Sequence, residues 1–228
     1  MSAATPTAKS LLIIGAGPGI ARAVSSLLAT KGYTTIILLA RRASQLATER
    51  QTLLSLHPTL NLQVHTIPVD ITDPPALALA LAAADEAAGG PPSLVFFNAA
   101  RVIPSTLFEH PVEEIEYDFK VTVSALYAVA GRYLPEMAER GGEKPGFIVT
   151  SSALPAEPVP ELFALSLTKA AQKNLVRSLW LVYGKVVHVG VVNVAGAVDG
   201  EGRSPAVVAG RTWEWFEGKR GAFEVVVE

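Results

Sequence analysis

The sequence predicts an α/β fold in which a mostly parallel, seven-stranded sheet is covered by helices on both faces. Two observations lead to this prediction. Short apolar runs alternate with longer amphipathic stretches along the chain, which is the order of parallel strands joined by helical crossovers. The second apolar run is also rich in β-branched residues, as expected for a strand that is buried on both faces.

The first half of the chain divides at glycine, proline and capping residues. Strands are predicted at 11–14, 34–40, 62–69 and 94–97, and helices at 20–31, 44–56 and 76–84. The third helix is ambiguous because three leucines between residues 77 and 81 recur with period two, which suits a strand. Helix is favoured because Asp73 is a suitable N-cap, Pro74 fits a first helical turn and a Gly pair closes the segment.

The second half continues the same alternation. A long helix is predicted at 111–139, and its acidic start agrees with the direction of the helix dipole. Strands follow at 147–151, 186–194 and 223–227, with helices at 161–183 and 204–216. Because no internal repeat or long linker divides the chain, we expect a single domain over residues 1–228.

Composition excludes several classes of protein. The chain has 228 residues, 50% of them apolar, and a formal net charge of -2. This balance argues against a nucleic-acid binder and against a disordered chain. Cys is absent and the four His residues are scattered, so neither a disulfide scaffold nor a metal centre is expected. The longest apolar run is too short to span a membrane and no signal peptide is recognised, so we expect a cytoplasmic protein.

A glycine-rich turn lies between the first strand and the first helix. It contains Gly15, Gly17 and Gly19, and Ile20 begins the helix. Glycine lets a diphosphate approach the backbone, and the free amides of the helix N-terminus face its negative charge. The turn therefore predicts a dinucleotide site and a Rossmann-type sheet, although a tight turn alone would also use these glycines.

The end of the second strand favours NADP(H) over NAD(H). An NAD site places an acidic residue here to bind the ribose 2′-hydroxyl, whereas this strand is followed by Arg41 and Arg42. Arginine binds a 2′-phosphate through two parallel hydrogen bonds. The alternative is that both side chains are ordinary solvated surface, and no basic residue inside the glycine turn supports the phosphate.

These motifs resemble the short-chain dehydrogenase/reductase family, and the resemblance runs nearly end to end. The family's acidic residue after the third strand matches Asp70, and its Asn-Asn-Ala-Gly run is similar to residues 97–100. Its Pro-Gly turn after the sixth strand is similar to residues 195–198. The resemblance implies further cofactor contacts from Asp70, Ile71, Asn98, Ala99, Ala100, Lys169 and Val198.

The catalytic residues of the family are only partly present. The resemblance implies a Tyr and a Lys four residues apart on one helix, a Ser about 13 residues before the Tyr, and an Asn in the preceding long helix that supports a water relay to the Lys. Lys169 and Ser152 match the Lys and the Ser, but Leu165 stands at the Tyr position and Lys120 at the Asn position. Leucine carries no proton, so a group that is typically worth about 10²–10⁴-fold in rate is missing. No Tyr occurs between residues 133 and 183, so shifting the motif does not restore it.

Ser152, Lys169 and Lys120 are the remaining candidates for catalysis. Lys169 is expected to bind the nicotinamide ribose, and Ser152 either binds a ligand oxygen or caps its strand. A cation at Lys120 close to Lys169 would lower the pKa of one of them and create an acid–base group or an anion site. Lys120 could equally point outward and have no role. Tyr117 and Tyr127 of the same long helix are interpreted as packing or surface residues.

Three functions remain open at this point. The first is an NADP(H)-dependent oxidoreductase acting on a small carbonyl, alcohol or imine, with Ser152, Lys120 or a water in place of the Tyr. The second is a non-redox cyclase, isomerase or dehydratase, and the third is a catalytically silent NADP(H)-binding regulator. The first is favoured because the cofactor motifs are closer to the family pattern than a regulator requires. The resemblance also implies a homodimer or homotetramer, and the glycine-containing segment 198–205 implies a shallow or open substrate pocket.

Overall fold

The structure is a computed structural model that describes residues 9–140, 144–198 and 202–228. Its described strands form one sheet in the order β3-β2-β1-β4-β5-β6-β7. Every neighbouring pair is parallel, so the predicted Rossmann-type α/β fold is confirmed. The strands are β1 (Lys9–Ile14), β2 (Tyr33–Ala40), β3 (Gln63–Pro68), β4 (Leu94–Phe97), β5 (Gly146–Ser152), β6 (His188–Val194) and β7 (Glu224–Val227).

Helices cover both faces of the sheet. The helices are α1 (Ile20–Ala29), α2 (Ala43–Leu56), α3 (Pro74–Ala88), α4 (Val112–Phe119), α5 (Ala125–Arg140), α6 (Phe163–Tyr183) and α7 (Pro205–Glu217). Buried residues of α1, α2 and α7 share one hydrophobic core, and those of α3, α5 and α6 share the other. No helix in the described ranges is long and apolar enough to cross a membrane.

Strand β1 shows why its sequence is apolar without alternation. Leu11 and Ile13 belong to the core under α1, α2 and α7, whereas Leu12 and Ile14 belong to the core under α3, α5 and α6. Successive side chains of a strand point to opposite faces. A central strand covered on both faces therefore needs an apolar residue at each position.

The ambiguous segment after β3 is a helix, as predicted. The carboxylate of Asp73 accepts a 3.1 Å hydrogen bond from the amide of Ala76, and Gly89 ends the helix in the left-handed conformation with φ 72°. Leu77 and Leu81 are buried, whereas Leu79 is 75% exposed. The period-two pattern therefore arises because leucines occur on both the buried and the exposed side of this helix.

The long helix predicted at 111–139 is interrupted by a π-helical turn. Helix α4 ends at Phe119, the π-helical turn covers Lys120–Ser124, and α5 follows. At its end the amide of Ala125 donates to the carbonyl of Lys120, five residues earlier. A π-helical turn shifts the helical register and is frequent at functional sites. The predicted helix 161–183 begins two residues later than expected, at Phe163.

Candidate cofactor and active site

A cleft of about 280 Å³ lies at the carboxyl ends of the central strands. The chain order reverses between β1 and β4 at this point, which is where ligands bind in open α/β sheets. Nine residues predicted to bind the cofactor line this cleft: Gly15, Gly17, Arg41, Arg42, Asp70, Ile71, Asn98, Ala99 and Ala100. Gln45, Arg101 and Val121 also line it and were not predicted from the sequence.

Gly15 holds the glycine turn against the end of β4. Its φ is +86°, and a Cβ at this position would lie 2.6 Å from the amide nitrogen of Ala99. The amides of Gly15 and Ala16 both donate to the carbonyl of Leu39, at 3.0 and 2.9 Å. A side chain at position 15 would therefore separate the turn from its two neighbouring strands.

Gly19 and Ile20 form the start of α1 at the same edge of the sheet. Gly19 is the N-cap, and the first turn of the helix carries no acidic residue. A Cβ at Gly19 would meet nothing within 4 Å, so open space lies in front of this backbone. The amides of a helix N-terminus lack intrahelical partners and favour an anion. The turn therefore fits a diphosphate.

Arg42 is linked to the glycine turn through Gln45. Its Nε donates a 2.9 Å hydrogen bond to Oε1 of Gln45, and Nε2 of Gln45 donates at 3.2 Å to the carbonyl of Ala16. For the contact between Arg42 and Gln45, the sequence signal is their spacing of three residues at the start of α2. Arg41 instead donates to the hydroxyl of Tyr117 at 3.3 Å. Tyr127, the other Tyr considered from the sequence, is 67% exposed.

Asp70 lies after β3 with its carboxylate bound by Thr72. Oδ1 of Asp70 accepts from the amide of Thr72 at 3.0 Å and from its hydroxyl at 2.8 Å. The hydrogen bond from this backbone amide is the main cause that lowers the pKa of Asp70, and the charge of Arg41 adds to the effect. The side chain therefore stays ionised at the edge of the cleft.

A chain of hydrogen bonds, partly buried at Asn98 and buried at Lys169, runs from the glycine turn to the π-helical turn. Nδ2 of Asn98 donates at 3.2 Å to the carbonyl of Gly15, and Oδ1 of Asn98 accepts at 2.8 Å from the hydroxyl of Thr150. The carbonyl of Thr150 accepts at 2.8 Å from Nζ of Lys169. Lys169 also donates at 2.9 Å to Gln172, which donates at 3.1 Å to the carbonyl of Thr122.

The environment of Lys169 differs from the predicted pair of cations. Lys169 is 6% exposed, and burial alone lowers its pKa to about 8. Lys120 is exposed on the π-helical turn and contributes nothing to this shift. The residue of the long helix that is connected to Lys169 is Thr122, through Gln172. Lys120 is exposed, as in the alternative in which it points outward, whereas Thr122 of the same turn is buried.

The cleft described above is not lined by Gly19, Ile20, Ser152, Leu165, Lys169 or Val198. Ser152 is half-buried at the end of β5, and its Oγ accepts a 3.3 Å hydrogen bond from the amide of Leu154. Leu165 is buried one helical turn before Lys169 on α6. Val198 is 41% exposed. Residues 199–201 of the glycine-containing segment 198–205 lie outside the described residues.

An ion-pair cluster borders the cleft and was not predicted from the sequence. Nε of Arg101 lies 2.6 Å from Oδ1 of the buried Asp118, and the guanidinium also binds Glu114. Burial raises the pKa of Asp118, whereas the hydrogen bond from Arg101 lowers the pKa of Glu114. Tyr117 places its ring 5.1 Å from the same guanidinium. These contacts fix the turn after β4 to α4.

Comparison with known proteins agrees with this geometry. The model of the family described as short chain dehydrogenase matches residues 9–204. The chain belongs to the short-chain dehydrogenase family. The members of this family are oxidoreductases that use a nicotinamide cofactor. This agrees with the Rossmann-type sheet and with the cleft at its carboxyl edge.

Three similar proteins illustrate how far the likeness extends. An uncharacterized oxidoreductase of Thermotoga maritima is 28% identical over 187 residues, which are 82% of this chain and 70% of that protein. A short-chain dehydrogenase structure from Rhodopseudomonas palustris has a TM-score of 0.83 at 18% identity. The match covers 98% of this chain and 99% of that protein. A third similar protein is an NADPH-bound short chain oxidoreductase from Pseudomonas aeruginosa PAO1 that contains an atypical catalytic center. Its structure has a TM-score of 0.71 at 22% identity, and the match covers 81% of this chain and 70% of that protein. The two structural likenesses show the fold.

Proposed function

We propose that this short-chain dehydrogenase is an NADP(H)-dependent oxidoreductase that acts on a small-molecule carbonyl, alcohol or imine through an atypical catalytic centre. The observation that carries the proposal is the cleft at the carboxyl edge of the sheet, where Arg42 is tied to the glycine turn by Gln45. The NADPH-bound structure of the similar Pseudomonas aeruginosa oxidoreductase supports the choice of cofactor.

The residues present fit NADP(H). The open space at Gly19 and the amides of α1 suit a diphosphate. Arg41 and Arg42 line the cleft at the end of β2, where the adenosine ribose of a dinucleotide binds and an Arg accommodates a 2′-phosphate. Asp70 and Ile71 would contact the adenine. Asn98, Ala99 and Ala100 would line the path toward the nicotinamide, and Lys169 would bind its ribose.

The chemistry proposed here lacks the family's phenol. When bound, NADPH supplies a hydride to the carbonyl carbon, so the protein or solvent must supply one proton to the oxygen. Leu165 stands at the position of the family Tyr and offers no proton. Ser152 at the end of β5, or a water, is then the proposed donor to the substrate oxygen. Lys120 is exposed on the π-helical turn and has no role in this proposal.

Calorimetric titration with NADPH and NADH tests the cofactor. We expect NADPH to bind more tightly, and Arg42→Ala to weaken NADPH about 10- to 100-fold with little effect on NADH, because a hydrogen bond to a charged group is lost. Arg211→Ala is the control, since Arg211 is exposed on α7 and pairs with Glu214. Equal loss for both cofactors, or no affinity for either, would overturn the proposal.

A gain of function tests the catalytic part. Leu165→Tyr should raise NADPH-dependent reduction across a panel of aldehydes, ketones and imines, whereas Leu165→Phe fills the same space without a hydroxyl and should not. Wild-type protein should show slow turnover with a substrate of the panel. Product formation without oxidation of NADPH would instead favour a cyclase, isomerase or dehydratase. Tight binding with no turnover in any variant would favour a regulator.

Three further expectations stay predictions. They are a homodimer or homotetramer, a cytoplasmic location, and one dinucleotide-binding domain over residues 1–228. Light scattering on the purified protein measures the first of these directly.

A further inference from the structure

We propose that Gln172 is the positioning residue of this site, and that it orients the Lys169 ammonium and keeps it protonated inside the protein. The inference rests on the proposed function in one respect, which is that Lys169 serves the nicotinamide end of the site. The contacts that carry the inference are between residues of the chain itself.

The Gln172 side chain has one available orientation. It is fully buried, with Oε1 2.9 Å from Nζ of Lys169 and Nε2 3.1 Å from the carbonyl oxygen of Thr122. Rotating the amide by 180° would face its N–H groups toward an ammonium and its oxygen toward a carbonyl. Both contacts would then be repulsive, because an ammonium only donates and a carbonyl only accepts.

Gln172 supplies a side-chain acceptor to a cation that burial disfavours. In the described part of the chain, Lys169 donates to two acceptors, the carbonyl of Thr150 and Oε1 of Gln172. The elements that pack against α6 carry several titratable groups, among them Asp118, Lys120, Tyr133 and His188, yet burial is the only cause of the lowered pKa of Lys169. No charged neighbour therefore offsets the desolvation of the ammonium, and the acceptors must do so.

The π-helical turn explains why Gln172 can reach both partners. Thr122 lies within this turn, where the regular hydrogen-bond register of the helix is broken, and its carbonyl accepts from a side chain of α6. Gln172 lies three residues after Lys169, on the same side of α6. An amide at this position gives the ammonium of Lys169 an acceptor without adding a negative charge. Lys169 can therefore be protonated near neutral pH while burial keeps its pKa low enough for it to release a proton.

Titration of the lysine side chains by NMR tests the inference directly on the free protein. With ¹³C at lysine Cε and Lys169→Met to assign the signal, we compare Gln172→Glu and Gln172→Leu with wild type. Glu should raise the pKa of Lys169 by about one unit or more, since it adds an opposite charge, and Leu should lower it by removing an acceptor. Asn174→Asp adds the same charge at an exposed position of α6 and should shift the titration much less.

Opposite shifts in the two variants, beyond the Asn174→Asp control, support a role in setting the charge of Lys169. Shifts in the same direction, or shifts no larger than the control, would overturn it. If Gln172→Leu does not fold, Gln172→Met replaces it. The isosteric Gln172→Glu variant still tests the expected rise in the pKa of Lys169. The NMR titration needs no cofactor, so its failure removes the inference and leaves the NADPH titration to judge the proposed function. Conversely, opposite shifts without NADPH affinity would keep Gln172 as the partner of Lys169 and remove the cofactor role.

Discussion

The hydroxyl of Thr150 donates a 2.8 Å hydrogen bond to Oδ1 of Asn98. Because Nδ2 of the same Asn98 amide donates to the carbonyl of Gly15, one residue of β5 supports the glycine turn from two strands away. The carbonyl of Thr150 also accepts from Lys169. Strand β5 thus positions both the proposed diphosphate end and the proposed nicotinamide end of the cleft.

Thr150→Val should weaken NADPH binding by about fivefold to tenfold, since the side chain of Asn98 loses its donor and is no longer held in place. Thr150→Ser keeps the hydroxyl and should retain most of the affinity. Calorimetric titration of both variants measures the difference. If Val and Ser behave alike, the hydroxyl does not support the site.

Gly15→Ala should destabilise the protein by more than about 2 kcal/mol, because the new Cβ would meet the backbone at Ala99 and the residue has a positive φ. Gly131→Ala is the matched control. Gly131 is exposed on α5 and its Cβ would meet nothing within 4 Å, so this change should stabilise the protein by about 0.5–1 kcal/mol. Urea denaturation of both variants gives the two values, and equal effects would contradict the close approach.

Arg101→Leu should cost about 3–5 kcal/mol of unfolding free energy, because it leaves the carboxylate of Asp118 buried without its cation. The double variant Arg101→Leu/Asp118→Leu should recover a large part of that loss, since neither charge is then buried. Chemical denaturation of the two single variants and the double variant completes a thermodynamic cycle. Additive effects would show that the pair is not coupled.

The stability of the protein should fall as the pH is lowered from about 6.5 to about 4, through His188. Burial, with smaller effects from the charges of Lys144 and Arg220, lowers the pKa of His188 to about 4, whereas an unfolded His titrates near about 6.5. The unfolded chain therefore binds the proton first, and up to roughly 3 kcal/mol of stability is lost across this window.

His188→Phe should remove that part of the pH dependence. His188 packs edge-on against Trp215, with ring centroids 4.3 Å apart, so an aromatic replacement retains the apolar contact. Urea denaturation at several pH values between 4 and 7 compares the two proteins. An unchanged slope in the Phe variant would assign the pH dependence to other groups.

Much of the lining of the cleft could be predicted because its signals are local in sequence. The glycine turn follows β1 directly, Arg41 and Arg42 follow β2, and Asp70 follows β3. Once the strands are parallel, these positions must meet at one edge of the sheet. Gln45 was missed because it binds the carbonyl of Ala16, which is distant in sequence. Arg101 was missed because its ion pair with Asp118 belongs to no sequence motif.

The sequence by itself determined the parallel sheet, its two-sided cores and the glycine turn, since apolar periodicity and turn residues act over a few positions. The tertiary structure decided which residue of the long helix is connected to Lys169 through Gln172. One extra residue in the π-helical turn rotates the helix, so that Thr122 connects to Gln172 while Lys120 is exposed. The hydrogen bond from Gln172 to the carbonyl of Thr122 joins segments about 50 residues apart, and a contact between such distant segments has no local sequence signal.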